Sequence, residues 1–194
     1  MNTAYQTYGN YGGMAVTKVA LVTASSAGLG AAIAKALISE MRVVINYHSA
    51  SSRAHAVLQE LDHIIKDSKI HDTEPRFIAI KSDVTQTRDT QSLVTETIDK
   101  MGRLDVVISN VGWTRITEFS NLDDNVREDD WNRCFDVNVK SHLFLLHASK
   151  QYLEESEGSF ITVASVAGVK PSGSSLVSIL SYPPCGGHIF RVSA

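Results

Sequence analysis

Val19-Ala-Leu-Val22, running into Thr23-Ala-Ser-Ser-Ala-Gly28-Leu-Gly30, decides how this chain is read. A short apolar run, a glycine turn and a helix-like stretch from Ala31 to Glu40 follow one another in the order strand, loop, helix. Glycine lets a backbone come close to a pyrophosphate. The unpaired N–H groups and positive dipole end of the helix then meet its charge. A glycine pair before a helix is also what a plain turn looks like, so the surrounding pattern has to carry the reading.

That pattern extends in both directions of chemistry and spacing. After Val19–Val22 come a helix over Leu29–Glu40, with Ile33, Leu37 and Met41 at helical spacing, and a second strand at Val43–Ile45. The second strand is apolar and β-branched, as suits a parallel strand covered on both faces. Ser52 is placed to cap a helix running to about Lys69, with Ala54, Val57, Leu58, Leu61, Ile64 and Ile65 as its apolar stripe. Phe77–Ile80 is a third strand. A helix marked by Leu93, Val94 and Ile98 stops at Gly102, and Leu104–Ile108 is a fourth strand. A polar loop from Trp113 to about Asp130 carries solvated acids, one of them capping the next helix, Trp131 to Ser156. Gly158 ends that helix and Phe160–Val163 is a fifth strand.

Strand–helix alternation from Val19 to Val163 predicts an α/β fold: a three-layer, doubly wound parallel sheet of the Rossmann type, incomplete on its C-terminal side. Ligands of such sheets sit at the carboxyl ends of the strands. Thr23, Asn46, Asp83, Asn110 and Ser165 all fall just past strand ends, which gathers five polar residues at one rim. The chain divides into a flexible lead at 1–17, this domain at 18–175 and a tail at 176–194.

Composition narrows the alternatives. Apolar residues make up 43% and charged ones 20% of 194, enough for one domain with a real core. A net charge of −3 argues against a nucleic-acid or anionic-membrane partner, and no apolar run is long enough to span a bilayer. Met1 to Gly13 lacks the basic start and apolar stretch of a secretory signal, which implies a cytoplasmic protein. Cys134 and Cys185 lie far apart and in no CxxC pair, so both read as reduced thiols. His71, His142 and His147 show no metal-binding spacing, and no metal is expected.

On these residues the chain resembles the short-chain dehydrogenase/reductase family from about Lys18 to Ser175. Its glycine turn is similar to the family's Thr-Gly-x-x-x-Gly-x-Gly, with Ala24 in place of the first glycine. Ser82-Asp83-Val84 resembles the family's Asp-Val segment, and Ser109-Asn110-Val111-Gly112 its Asn-Asn-Ala-Gly. The resemblance implies that Thr23, Ser25, Gly28, Leu29, Gly30, Asn46, Tyr47, Ser49, Arg53, Asp83, Val84, Asn110 and Gly112 bind a nicotinamide dinucleotide. Asn138 matches the catalytic asparagine that bends a helix and holds a water. Ser165 matches the serine that polarises a small carbonyl or alcohol substrate. The second strand ends in Asn46-Tyr47-His48-Ser49 without a carboxylate, and Arg53 is near, so NADP is favoured over NAD.

The relay is where the chain departs from this family. The family's Tyr and Lys stand one helical turn apart, so that the cation lowers the phenol's pKa. In register from Ser165 those positions are Ser178 and Tyr182, and no Lys follows Lys170. From Pro171 onward Arg191 is the only formally charged side chain, Pro183-Pro184 breaks a helix, and Cys185-Gly-Gly-His fits no packing element. The segment from about Val177 therefore reads as foreign to the family, as a retained intron or shifted frame would make it. Three functions follow: an NADP-dependent oxidoreductase by family, a catalytically silent NADP-binding sensor, or a product without function. The fifth strand is expected at an exposed sheet edge, which invites aggregation. The family's self-association into homo-oligomers is not expected to carry over to this chain.

Overall fold

The computed structural model describes residues 17–68, 75–168, 175–181 and 189–191. Residues 1–16 of the N-terminal lead, Lys69, His71, Tyr182, Pro183-Pro184 and the Cys185-Gly-Gly-His segment lie outside them. Strands β1 (Val19–Val22), β2 (Arg42–Tyr47), β3 (Phe77–Lys81), β4 (Val106–Ser109), β5 (Ser159–Thr162) and β6 (Ile189–Arg191) form one sheet in the order β3-β2-β1-β4-β5-β6. The first five are parallel. Leu21 stands beside Val44 on one side and Val107 on the other. Between them run helices α1 (Gly28–Leu37), α2 (Ser51–Ser68), α3 (Thr87–Met101), α4 (Glu128–Phe135) and α5 (Ser141–Glu155), with a short α6 (Leu176–Ser181) beyond β5.

Side chains alternate across the pleat, so each strand feeds two cores. Val19, Leu21, Val44, Val107 and Phe160 pack with Leu93, Leu145 and Leu153 of α3 and α5. Val22, Val43, Ile45 and Ile108 pack with Ala34, Ile38, Ala54 and Leu61 of α1 and α2. The strand order reverses at β1, whose neighbours are β2 and β4, and this opens a crevice at the carboxyl ends of those strands.

Several sequence expectations change. β5 is not the edge: β6 runs antiparallel along it, with Phe160 beside Phe190, and Phe160 is fully buried. A short antiparallel strand is thus added to the five-stranded parallel sheet that the sequence predicts. The helix expected over Trp131–Ser156 starts at Glu128 and is interrupted by a π-helical turn, Asp136–Lys140. None of the loop acids caps α4, whose N-cap is Arg127. Asp130 is largely buried and pairs with Arg115 at 2.6 Å instead of lying in solvent. Ser52 sits inside the first turn of α2 rather than capping it. In α1 Ala31 and Ala34 are the deep apolar positions, with Ile38 buried at its C-cap and Ile33 and Leu37 flanking them. Gly102 closes α3 as expected, with a φ of +75°. After α5, however, the left-handed residue is Glu157 and not Gly158.

Candidate nucleotide-binding site

The glycine turn forms a tight loop whose own hydrogen bonds set its shape. The N–H of Thr23 donates to the Ile108 carbonyl at 3.0 Å, carrying β1 past its last residue against β4. Ser25 is fully buried. Its hydroxyl donates to the Val22 carbonyl at 2.6 Å and accepts from the Asn46 N–H at 3.0 Å. Ala24 has a φ of +49°, a left-handed conformation that costs an L-residue of order 1 kcal/mol. This is where the family pattern has glycine. Gly28, with a φ of +55°, begins α1 with open space above it. Gly30 is required for a different reason: a Cβ there would lie 2.6 Å from both the Ala24 carbonyl oxygen and Asn110 Nδ2. No side chain caps α1, because its N-cap is Ala27, so the first-turn N–H groups keep their pull on an anion. Leu29, in that first turn, is exposed.

Three rim residues expected to touch a ligand serve first as struts. Asn46 is buried. Its Oδ1 accepts from the Ala24 N–H at 3.2 Å, and its Nδ2 donates to the Ser82 carbonyl at 3.1 Å, so it ties β2, the glycine loop and the end of β3 together. Asn110 joins β4 to the same loop. Its N–H donates to Thr23 Oγ1 at 2.9 Å and its Nδ2 to the Thr23 carbonyl at 3.1 Å. Asp83 Oδ1 accepts from the N–H and the hydroxyl of Thr85 at 3.0 and 2.7 Å, while Oδ2 faces His48 at 3.8 Å. Val84 is buried, Tyr47 is half-buried, and Ser49 and Arg53 are exposed past the end of β2.

A cleft of about 400 Å³ opens where these loops meet. Ala24, Asn46 and His48 line it from the ends of β1 and β2, Ser82 to Thr85 from the end of β3, and Val111, Gly112 and Trp113 from the loop after β4. Arg133, Asp136 and Val137 complete it from α4 and the π-helical turn. The volume and the few polar groups suit a small-molecule site.

Asn138 lies inside the π-helical turn and is buried. Its Oδ1 accepts from the Trp113 N–H at 2.8 Å. Its Nδ2 donates to the Trp113 carbonyl at 2.9 Å, and lies 2.9 Å from Ser181 Oγ and 3.0 Å from Cys134 Sγ. The side chain thus clasps the β4 loop, α4 and α6 at once. Ser165 is half-buried, and its hydroxyl accepts from the Ala167 N–H at 3.2 Å in the turn after β5. Ser178, at the register position of the family's Tyr, lies within α6.

Sequence reasoning passed over two features here. His142 and Ser109 form a pair: Ser109 Oγ lies 2.6 Å from His142 Nδ1, and burial lowers the histidine's pKa to about 4. Ser109 was visible only as the residue before Asn110, and nothing in the spacing ties it to α5. At the other end of the sheet, Arg42 is buried and donates to the carbonyls of Pro75 and Met101 at 2.9 and 3.0 Å. Cys134 is a free buried thiol, with its pKa raised chiefly by burial. Among the described residues no cluster of three ligating side chains is found, and no helix is long and apolar enough to cross a membrane.

A doubly wound sheet with a glycine turn and a cleft at its switch point defines a Rossmann-type nucleotide-binding protein. The family model for short chain dehydrogenases matches residues 18–177, and the chain belongs to that family. An uncharacterized oxidoreductase of Methylorubrum extorquens is 38% identical over 150 residues, covering 77% of this chain and 55% of that protein. A 3-oxoacyl-acyl-carrier-protein reductase of Synechocystis is 34% identical, over 78% of this chain and 57% of its own length. The chain thus spans a little over half the length of these relatives. Among solved structures, a short chain dehydrogenase from Burkholderia cenocepacia in complex with NADP superposes with a TM-score of 0.72 at 28% identity, covering 84% of this chain and 62% of that one.

Proposed function

We propose that this chain binds NADP in the rim cleft and, as it stands, does not transfer hydride. A nicotinamide dinucleotide fits the residues present. Gly30 leaves no room for a side chain beneath the loop, Gly28 is open above it, and the uncapped start of α1 faces the same place. Bound in such a family, the nicotinamide would carry the hydride, NADPH giving it to a carbonyl or NADP taking it from an alcohol. Here Gly28, Leu29 and Gly30 would present amide N–H groups to the phosphates, and Asp83 and Val84 would border the base. Ser49 and Arg53 lie past β2, where no carboxylate opposes a 2′-phosphate. The NADP complex of the Burkholderia cenocepacia relative supports the same cofactor class. The family's substrates, a carbonyl and its alcohol, would meet Ser165.

The observation that carries the second half is in the sequence: Ser178 and Tyr182 occupy the Tyr and Lys positions. An aliphatic hydroxyl is a far weaker acid than a phenol, and no lysine follows Lys170 to stabilise its anion. Asn138 is already committed to Trp113 and Ser181. The chain therefore acts as a nucleotide-binding module of an oxidoreductase family. A cytoplasmic setting suits its free Cys134 thiol. Titration with NADPH, followed by a turnover assay on simple ketones, tests both halves. Saturable binding without oxidation of NADPH is expected. No binding at millimolar cofactor removes the first half, and clear turnover removes the second.

A further inference from the structure

Trp113 is held at both backbone polar atoms by Asn138, and it lines the cleft. Arg133, from α4, lays its guanidinium carbon 4.6 Å from the centroid of that ring, and it lines the cleft as well. The same cleft takes in Asp83 and Val84 at the end of β3, and begins at Ala24 beside the phosphate loop. A dinucleotide whose phosphates meet α1 would extend its ribose and base along this cleft. A guanidinium stacked on an indole is a flat cation that offers its outer side to a further planar ring. The geometry points to Arg133, placed over Trp113, as the stacking surface for the purine of the bound nucleotide. This rests on the NADP reading above and adds the residue pair that positions the base.

Half-cofactors separate base recognition from phosphate recognition. Adenosine 2′,5′-bisphosphate keeps the purine, and nicotinamide mononucleotide keeps a phosphate without it. Arg133→Met weakens the bisphosphate and NADP by about tenfold and leaves the mononucleotide unchanged. Arg133→Lys, which keeps charge but not the plane, stays weak. Trp131→Phe leaves Trp113 as the sole tryptophan of the two, and its emission is quenched by the bisphosphate. Unchanged melting temperatures show that the variants fold, and the quenching measurement stands independently of the Arg133 variants. Equal loss for both half-cofactors, or a loss for the bisphosphate that adenosine 5′-monophosphate does not share, makes Arg133 a phosphate contact and overturns stacking. So do wild-type affinity in Arg133→Met and the lack of quenching. A wild-type chain that binds neither NADP nor the bisphosphate brings down the cofactor reading, and this inference with it; a wild-type chain that binds while the variants match it brings down this inference alone.

Discussion

The loop at residues 23–30 keeps the family's sequence, the helix at 176–181 falls in the segment that reads as foreign to it, and the two are built to different standards. The loop is over-determined. Ser25 and Gly30 lock it from within, Asn46 from β2 and Asn110 from just past β4, and the family pattern is kept at every position but Ala24. In α6, Val177 and Ser181 are buried and Ser181 contacts Asn138, so the helix is docked. Yet its sequence lacks the acid and the cation that would give it chemistry. The difference teaches that backbone placement and proton transfer are separable: a segment can occupy a catalytic helix's place by burying two or three residues, without carrying its reactive groups.

The largest effect is expected from rebuilding the relay. The double variant Ser178→Tyr with Tyr182→Lys should oxidise NADPH against a reactive ketone at least about a hundredfold above the parent chain, the scale of general-acid catalysis. Ser178→Tyr alone should not. Activity in the single variant would mean another cation serves the phenol, and would blur the contrast between the two regions. Breaking the other side comes next. Gly30→Val drives two methyl groups toward the Ala24 carbonyl and Asn110, and should cost about 4 kcal/mol in urea unfolding and abolish NADP binding.

The acid limb of stability is a third probe, through the strand end that carries the loop. His142 has a folded-state pKa of about 4 against an ordinary value of 6.5, so its neutral form is the one that packs. The full contribution is present above pH 6.5 and is lost as pH falls through 4, by about 3 kcal/mol in all. Urea midpoints measured across that window should fall in the wild type and flatten in His142→Gln. The smallest effect is expected from Ala24→Gly. Removing a methyl group from a φ of +49° should raise stability by about 0.5 kcal/mol and leave NADP affinity equal or tighter. A drop in melting temperature would mean the left-handed residue is not strained.

Much of this was legible in the chain. β1 begins and ends where its apolar run does, and the stripe on α2 is the one that packs, because burial there follows simple periodicity. Gly30 was readable as a glycine of the turn, read as room for a pyrophosphate, whereas the packing reason, a Cβ against the Ala24 carbonyl and Asn110, is seen only in the structure. Other features leave no local trace. The resemblance put a helix bend at Asn138, but a π-helical turn changes which carbonyl each N–H meets without changing composition, so the form of that bend over Asp136–Lys140 was not readable. β6 is three residues in a stretch with one charge, too short to announce itself, and only its pairing with β5 defines it. Polarity at a strand end showed that Asn46 and Ser25 matter, but not that their side chains turn into the protein rather than toward a ligand. The Trp113–Arg133 contact joins a loop to a helix, and spacing along the chain does not report it.

The four-way clasp made by Asn138 carries a lesson for sorting relatives of this chain. Its amide ties together the β4 loop, the thiol of α4 and the end of α6, none of which requires a reaction to be selected. Losing it would leave the Trp113 amide and carbonyl unsatisfied, a penalty that falls on folding before it falls on turnover. An asparagine retained at this position therefore has a folding reason of its own, and its presence alone does not report activity.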